Sequence, residues 1–188
     1  MADIRAEMLT GDDLLKMPSG MGERYELIDG ELITMTPASF QHGLVALQIG
    51  FLLKTHTSQR KIGRVVGAET GFYTRGDKKT VRAPDVAYIS YEKLPEGPLP
   101  ADAYLNIAPD LVVEVVSPGD RAGEIEQKIQ EWPNFGVRLV WVAYPESQRV
   151  HVFAGHSGQS RILTAPDKIT GGDVLPGFEV SVSAFFED

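Results

Sequence analysis

The sequence predicts an α/β (α+β) domain built round a mixed β-sheet. Three observations carry this reading. Residues 24–35, RYELIDGELITM, place strand-forming residues on both sides of Asp29-Gly30, the pair favoured in a two-residue type I′ hairpin turn. Ser39 can cap a helix of about four turns over 40–55. The passage 83–144 then reads strand, strand, helix, strand, an order that accommodates a right-handed crossover. The 188 residues are expected to form one domain, 1–188.

The elements follow in order. Thr10 caps a short helix, with Asp13 three residues on, and the helix should end before Pro18. In the hairpin, a two-residue loop pairs Ile28 with Glu31 and Glu26 with Ile33, so Glu26 shares a face with Ile28, Ile33 and Met35. In the helix, Val45, Ile49 and Leu52 form one apolar stripe. Leu44, Leu47 and Phe51 extend it round much of the circumference, which predicts a well-buried helix. His42 falls in its first turn. A strand over Arg64–Tyr73 contains or adjoins Gly63, Gly67 and Gly71 and is expected to be bent.

A strand over Ala83–Ser90 comes next, then a Pro-rich connection over 92–107, then the apolar strand Leu111–Val116. Ser117-Pro-Gly-Asp120 begins a helix that runs to about Trp132, where Pro133 and Gly136 should end it. Val137–Tyr144 and Arg149–Phe153 make a further strand pair, and short strands and turns close the chain. Trp141, His151 and His156 read as structural or surface residues.

Bulk composition narrows the function. There is no cysteine, which excludes disulfides and thiolate metal sites. The first residues, MADIRAEMLTGDD, lack an apolar signal core, and no apolar run reaches the ~18–20 residues of a membrane span. A cytoplasmic protein is the expectation. The net charge of −8 argues against a general nucleic-acid coat. Its distribution is uneven: from Lys54 to Arg82 eight basic residues face only two acidic ones. Arg64, Arg75, Lys78, Lys79 and Arg82 are therefore candidates for a face that meets a nucleic-acid backbone, against the plainer reading of a solvated loop and strand edge.

The segment APDLVVEVVSP at 108–118 poses a sharper question. Glu114 stands alone in a run that reads as a buried strand. An unpaired ionised carboxylate there costs several kcal/mol. It needs a cation, a proton, or a face open to solvent. Period-two geometry puts Val112, Glu114 and Val116 on one face. Ala-Pro-Asp occurs three times, ending at Asp85, Asp110 and Asp167. Asp110 is four strand residues from Glu114, about 13 Å, too far to share one small ion. Asp167 lies in a turn-rich stretch. Asp85 opens the strand VAYIS, shares a face with Ala87 and Ile89, and can lie beside Glu114.

In the following helix Ile125, Ile129 and Trp132 mark an apolar stripe, and Lys128 falls on it. The lysine therefore points at the sheet, or else pairs with Glu124 along the helix. Two carboxylates suit Mg²⁺ or Mn²⁺, and an ammonium beside them can hold water or phosphate. Such a set suits phosphodiester hydrolysis.

These segments, taken together with GAETGF at 67–72, GVRLVWVAYPE at 136–146 and LPGFEVSVSAFF at 175–186, resemble the Uma-two family of restriction-endonuclease-like proteins, within the PD-(D/E)XK nuclease superfamily. The likeness runs from about Thr10 to Phe186. It implies a central mixed sheet flanked by helices, and a metal-dependent endonuclease acting on nucleic acid, DNA above all. It places the superfamily's aspartate at Asp85 and its acidic residue at Glu114, with the Val115 carbonyl as a further ligand. The superfamily lysine two residues after the acid is replaced by Val116, and Lys128 matches the family's relocated helix lysine. Glu26, His42 and Glu69 are candidates for an additional acid, base or ligand. The superfamily suggests a homodimer. Val116 and the acidic net charge favour the alternative, a non-catalytic nucleic-acid-binding or assembly module on a decayed nuclease fold.

Overall fold

The structure is a computed structural model that describes residues 8–17, 24–99, 103–155 and 158–187. His156 lies outside the described residues. Thr10 caps α1 (Gly11–Leu14) through a capping box completed by the Asp13 side chain. β1 (Arg24–Ile28) and β2 (Glu31–Met35) pair antiparallel in the expected register, Glu26 opposite Ile33 and Ile28 opposite Glu31. Asp29 and Gly30 both have positive φ, 50° and 84°, as a type I′ turn requires.

α2 runs from Phe40 to Arg60, with Ser39 Oγ accepting from the His42 N–H at its cap. It is longer than the sequence predicts, and its burial differs. Only Val45, Ile49, Leu53 and Thr57 are buried, whereas Leu44, Leu47 and Phe51 face outward. A helix that is apolar on two sides does not reveal which side meets the core.

The stretch read as one strand over Arg64–Tyr73 is two. β3 (Gly63–Gly67) and β4 (Phe72–Tyr73) belong to different sheets, parted by a turn in which Glu69 has φ of 73°. β5 (Val81–Arg82) and β6 (Val86–Ser90) follow, then β7 (Leu111–Val115), buried at every position. α3 spans Ala122–Phe135 and passes through Pro133 rather than ending before it. A proline forgoes one i→i−4 bond, and this close to the helix end little is lost. Gly136, φ 112°, makes the stop, with its N–H donating to the Trp132 and Pro133 carbonyls. β8 (Leu139–Tyr144), β9 (Arg149–Ala154), β10 (Gln159–Leu163), β11 (Lys168–Gly171), β12 (Leu175–Ser181) and a 3₁₀ turn (Val182–Phe185) complete the chain.

The central sheet is six-stranded, in the order β10-β9-β8-β7-β6-β3. β7 and β8 are parallel, joined across α3, and the other neighbours are antiparallel. The two faces of β7 feed two cores. Leu111, Val113 and Val115 pack with Val45, Ile49 and Leu53 of α2 and with Trp141. Val112 packs with Ala87, Ile89 and Trp132, on the side of α3. The alternation predicted for β6 and β7 therefore holds residue by residue. A second sheet, β2-β1-β5-β4, carries the hairpin over a small core of Leu14, Leu27, Tyr73 and Val81. β11 and β12 form a third, two-stranded sheet. Trp141 is fully buried, and His151 lies among the rings of Tyr144 and Phe153. Both serve packing. Among the described residues no helix is long and apolar enough to cross a membrane.

Candidate active site

The site forms where β6 begins and β7 ends. The antiparallel register pairs Val86 with Val113; one further step puts Asp85 opposite Glu114. The paired register ends at Val86 and Val113, and the Val115 N–H donates to Asp85 Oδ2 at 2.7 Å. His42, in the first turn of α2, brings Nε2 to the same oxygen at 3.2 Å. The Glu114 side chain turns toward α3, on the face of Val112. Its Oε1 accepts from the Trp132 indole N–H at 2.7 Å, and its Oε2 lies 3.4 Å from Lys128 Nζ. Lys128 thus points at the sheet, as its place on the apolar stripe predicts.

Lys128 Nζ is also 3.7 Å from Glu26 Oε1. Glu26 arrives from the hairpin and is 3% exposed. Its Oε2 takes an ion pair from Arg82 at 2.7 Å, and its Oε1 accepts from the Ala83 N–H at 3.2 Å. Arg82 donates through Nε to Glu131 Oε2 at 2.9 Å, and Thr74 caps Glu131 Oε1 at 2.8 Å. A continuous chain of charge therefore links Glu131, Arg82, Glu26, Lys128, Glu114, Asp85 and His42.

The charges in that chain do not balance. Four carboxylates (Glu26, Asp85, Glu114, Glu131) meet two cations (Arg82, Lys128), and the part-exposed Arg75 reaches only Glu131, at 3.7 Å, so negative charge is in excess in a largely buried volume. Glu114 carries the consequence. Burial raises its pKa to about 7; Lys128 opposes the shift, while Asp85 and Glu26 add to it. Lys128 is pushed above its ordinary value, first by Glu114 and then by Glu26 and Asp85. The two shifts differ in their first cause: the Lys128 ammonium is held charged by the three carboxylates around it, whereas Glu114 is raised first by burial and only then by Asp85 and Glu26. The open edge of the cluster is formed by Lys128, Asp85 and His42, whose side chains keep 22%, 17% and 11% exposure.

Other candidate residues lie elsewhere. Glu69 sits in an exposed turn, off any strand, and lines a cavity with Arg64, Val66 and Ile89. The basic face is largely spent internally. Arg64 donates to the carbonyls of Leu94, Pro95 and Gly97 and stacks on Tyr91. Arg75 pairs with Asp29 and Glu131, and Lys78 with Asp12. Arg82 is 4% exposed and belongs to the acidic cluster; its assignment to a nucleic-acid surface is corrected, because both edges of its guanidinium are taken by carboxylates. Lys79 is half-buried in the same turn. Lys128 pairs with Glu114 and Glu26 rather than with Glu124.

Asp110 and Asp167 have separate duties. Asp110 accepts from the Ser90 N–H at 2.8 Å and pairs with Lys93 at 3.1 Å. Asp167 accepts from the N–H and hydroxyl of Thr164. Sequence reasoning missed Glu131 and Trp132 as members of the site. The signal for both was spacing, since they stand three and four residues after Lys128.

The family model described as "Putative restriction endonuclease", Uma2, matches residues 12–183. The chain belongs to the Uma2 family. The crystal structure of a "putative nuclease belonging to DUF820" from Anabaena variabilis matches this Uma2 chain with a TM-score of 0.79. The match covers 95% of this chain and 97% of that one at 18% identity, a likeness of fold. No curated protein matches the chain.

Among the described residues no three side chains of metal-binding type are gathered closely enough to hold an ion by themselves. The site's fit to a metal rests on its charge and donor set. The donors are carboxylate oxygens, the chemistry of Mg²⁺ and Mn²⁺, and the cluster has the excess of negative charge that a divalent cation would offset.

Proposed function

We propose that this chain is a Mg²⁺- or Mn²⁺-dependent endonuclease that hydrolyses phosphodiester bonds of nucleic acid, with DNA as the expected substrate. The observation that carries the reading is the cross-strand placement of Asp85 and Glu114 beside Lys128, in a cluster where carboxylates outnumber the cations that meet them. Asp85 and Glu114 would hold the ion, with the Val115 carbonyl as a further donor and the remaining positions left to water and phosphate. Mg²⁺ is commonly bound in this way, by one or two carboxylates together with substrate oxygens. When bound, the ion lowers the pKa of water and stabilises charge on the phosphoryl group.

The chain's own residues do the rest. The Val115 N–H and His42 fix the rotamer of Asp85. Trp132 fixes Glu114. Lys128, held charged by its three carboxylates, presents an ammonium at the open edge of the cluster, where it can orient a water or meet a phosphate oxygen. Arg82 acts through Glu26 and touches no substrate.

The Uma2 family description and the fold likeness to a protein described as a nuclease support the reading. The internal engagement of Arg64, Arg75, Lys78 and Arg82 favours a second one, a binding or assembly module without cleavage. Incubation with duplex DNA, single-stranded DNA and RNA in the presence of Mn²⁺ separates the two. Cleavage is expected, and Asp85→Ala should lower it by about 10³-fold or more. Calorimetry should register metal binding that disappears in Glu114→Ala. Metal binding without cleavage of any substrate would support the module, and cleavage indifferent to Asp85→Ala would overturn the site.

A further inference from the structure

α2 has two apolar faces, and the fold uses one. Val45, Ile49 and Leu53 face the central sheet. On the opposite side Phe40 is 84% exposed, Leu47 72%, Phe51 61% and Leu44 39%. These four follow the i, i+4, i+7, i+11 spacing of one helical stripe, about 16 Å long. From Phe40 to Leu53 the helix contains no Asp, Glu, Lys or Arg. A solvated helix face of that length ordinarily carries charge. A phenylalanine of about 200 Å² at each end and two leucines between put roughly 500 Å² of apolar surface in water. That lies in the upper part of the range for the largest patch on an ordinary monomer, and it is over half of the ~800 Å² that one partner gives to a standard interface.

The order of residues along the stripe suits a second copy of the chain. Phe, Leu, Leu, Phe at 40, 44, 47 and 51 reads the same from either end, and its midpoint falls between Val45 and Ala46. In an isologous contact residue i meets j while j meets i, and this order then sets like against like, phenylalanine on phenylalanine and leucine on leucine. We propose that the α2 face is the interface of a two-fold symmetric homodimer, in which the two helices pack antiparallel across Leu44 and Leu47. Phe40 of each copy then faces Phe51 of the other, and Leu44 faces Leu47. The nearest charged residue along the helix, Lys54, lies beyond the stripe, and the antiparallel arrangement sends the two Lys54 side chains to opposite ends. Gly43, on the stripe's flank, has nothing within 4 Å of where a Cβ would stand, so the flank leaves room for a close approach. The proposal is independent of the endonuclease reading.

The full chain tests it by sedimentation velocity at 1–100 µM (about a hundredfold range, spanning micromolar association). A dimer is expected. Leu47→Glu, at a position already open to solvent, should keep the circular-dichroism spectrum and raise the dissociation constant by about 100-fold or more. Because each copy carries −8, added salt should tighten the wild-type dimer rather than loosen it. The absence of cysteine makes cross-linking unambiguous. Leu44→Cys combined with Leu47→Cys should give an intermolecular disulfide on oxidation. Phe40→Cys alone should not, because the two positions are about 16 Å apart along the axis. A monomeric wild type, a dimer that survives Leu47→Glu, or cross-linking by Phe40→Cys alone each overturns the proposal.

Discussion

β7 carries a buried carboxylate near each end, and the two ends behave differently. Asp110, just before the strand, meets Lys93 and Arg138 and accepts from the Ser90 N–H. Two cations stand against its one charge. Glu114, four residues on, shares one ammonium with Glu26 and Asp85, and burial pushes its pKa to about 7. Both residues follow from the same apolar run, and both are hydrogen-bonded. What separates the two carboxylates is their partners: Asp110 has two cations, whereas Glu114 shares one with other carboxylates. A closed account suits an interior; an open one suits a ligand.

Changes at the two ends should separate in kind. The largest stability effect is expected at Arg82→Ala, which takes from the buried Glu26 and Glu131 their nearest cation and leaves only Lys128 and Arg75, each at 3.7 Å. Breaking a buried pair from one side costs about 3–5 kcal/mol, read as a shift in the urea midpoint. Next comes the pH dependence of the metal-free protein. The folded-state pKa of Glu114 is raised above its ordinary 4.5, so the native state holds the extra proton. Its stabilising contribution is whole below about pH 4.5 and is lost as pH rises toward 7, by up to about 3 kcal/mol. Glu114→Gln should flatten that limb in urea titrations across pH 4.5–8, and Mg²⁺ should restore stability to the wild type at pH 8 but not to the variant.

Asp110→Asn should cost about 2 kcal/mol, because two cations lose a buried partner, and should leave metal binding by calorimetry unaltered. A change in metal affinity there would break the distinction between the two ends. The smallest effect is expected from Trp132→Phe, which removes one hydrogen bond to Glu114, worth about 1–2 kcal/mol. The loss of that bond should move the Glu114 titration, followed by NMR, further upward.

Much of this is legible in the sequence because strands have a period of two. Alternation alone assigns Glu114 to the face of Val112 and Val116, and Asp85 to the face of Ala87 and Ile89. The hairpin is equally plain, since Asp29-Gly30 determines both turn and register. Arg82 misleads because charge along the chain makes it the end of a basic run. In the fold it lies on a two-residue strand of the other sheet and turns inward. Glu131 reads as an ordinary exposed helix residue until Arg82 and Thr74 are brought to it by contacts 49 and 57 residues away in sequence. α2 is illegible for another reason: Leu44, Leu47 and Phe51 are as apolar as the residues that face the core, and periodicity alone cannot rank two such faces.

The ion-pair chain from Glu131 to Glu114 crosses from one sheet to the other. Glu26 and Arg82 belong to the hairpin sheet, whereas Glu114 belongs to the central one and Asp85 stands one residue before its strand β6. The hairpin is therefore the keystone of the cluster: if it lifts, Lys128 loses one of its anchoring carboxylates and Glu114 is rebalanced at the same moment. On the proposed metal site, ion binding and attachment of the hairpin would be reciprocal. An ion that settles between Asp85 and Glu114 should slow amide exchange at Tyr25–Leu27, on a strand that never touches it.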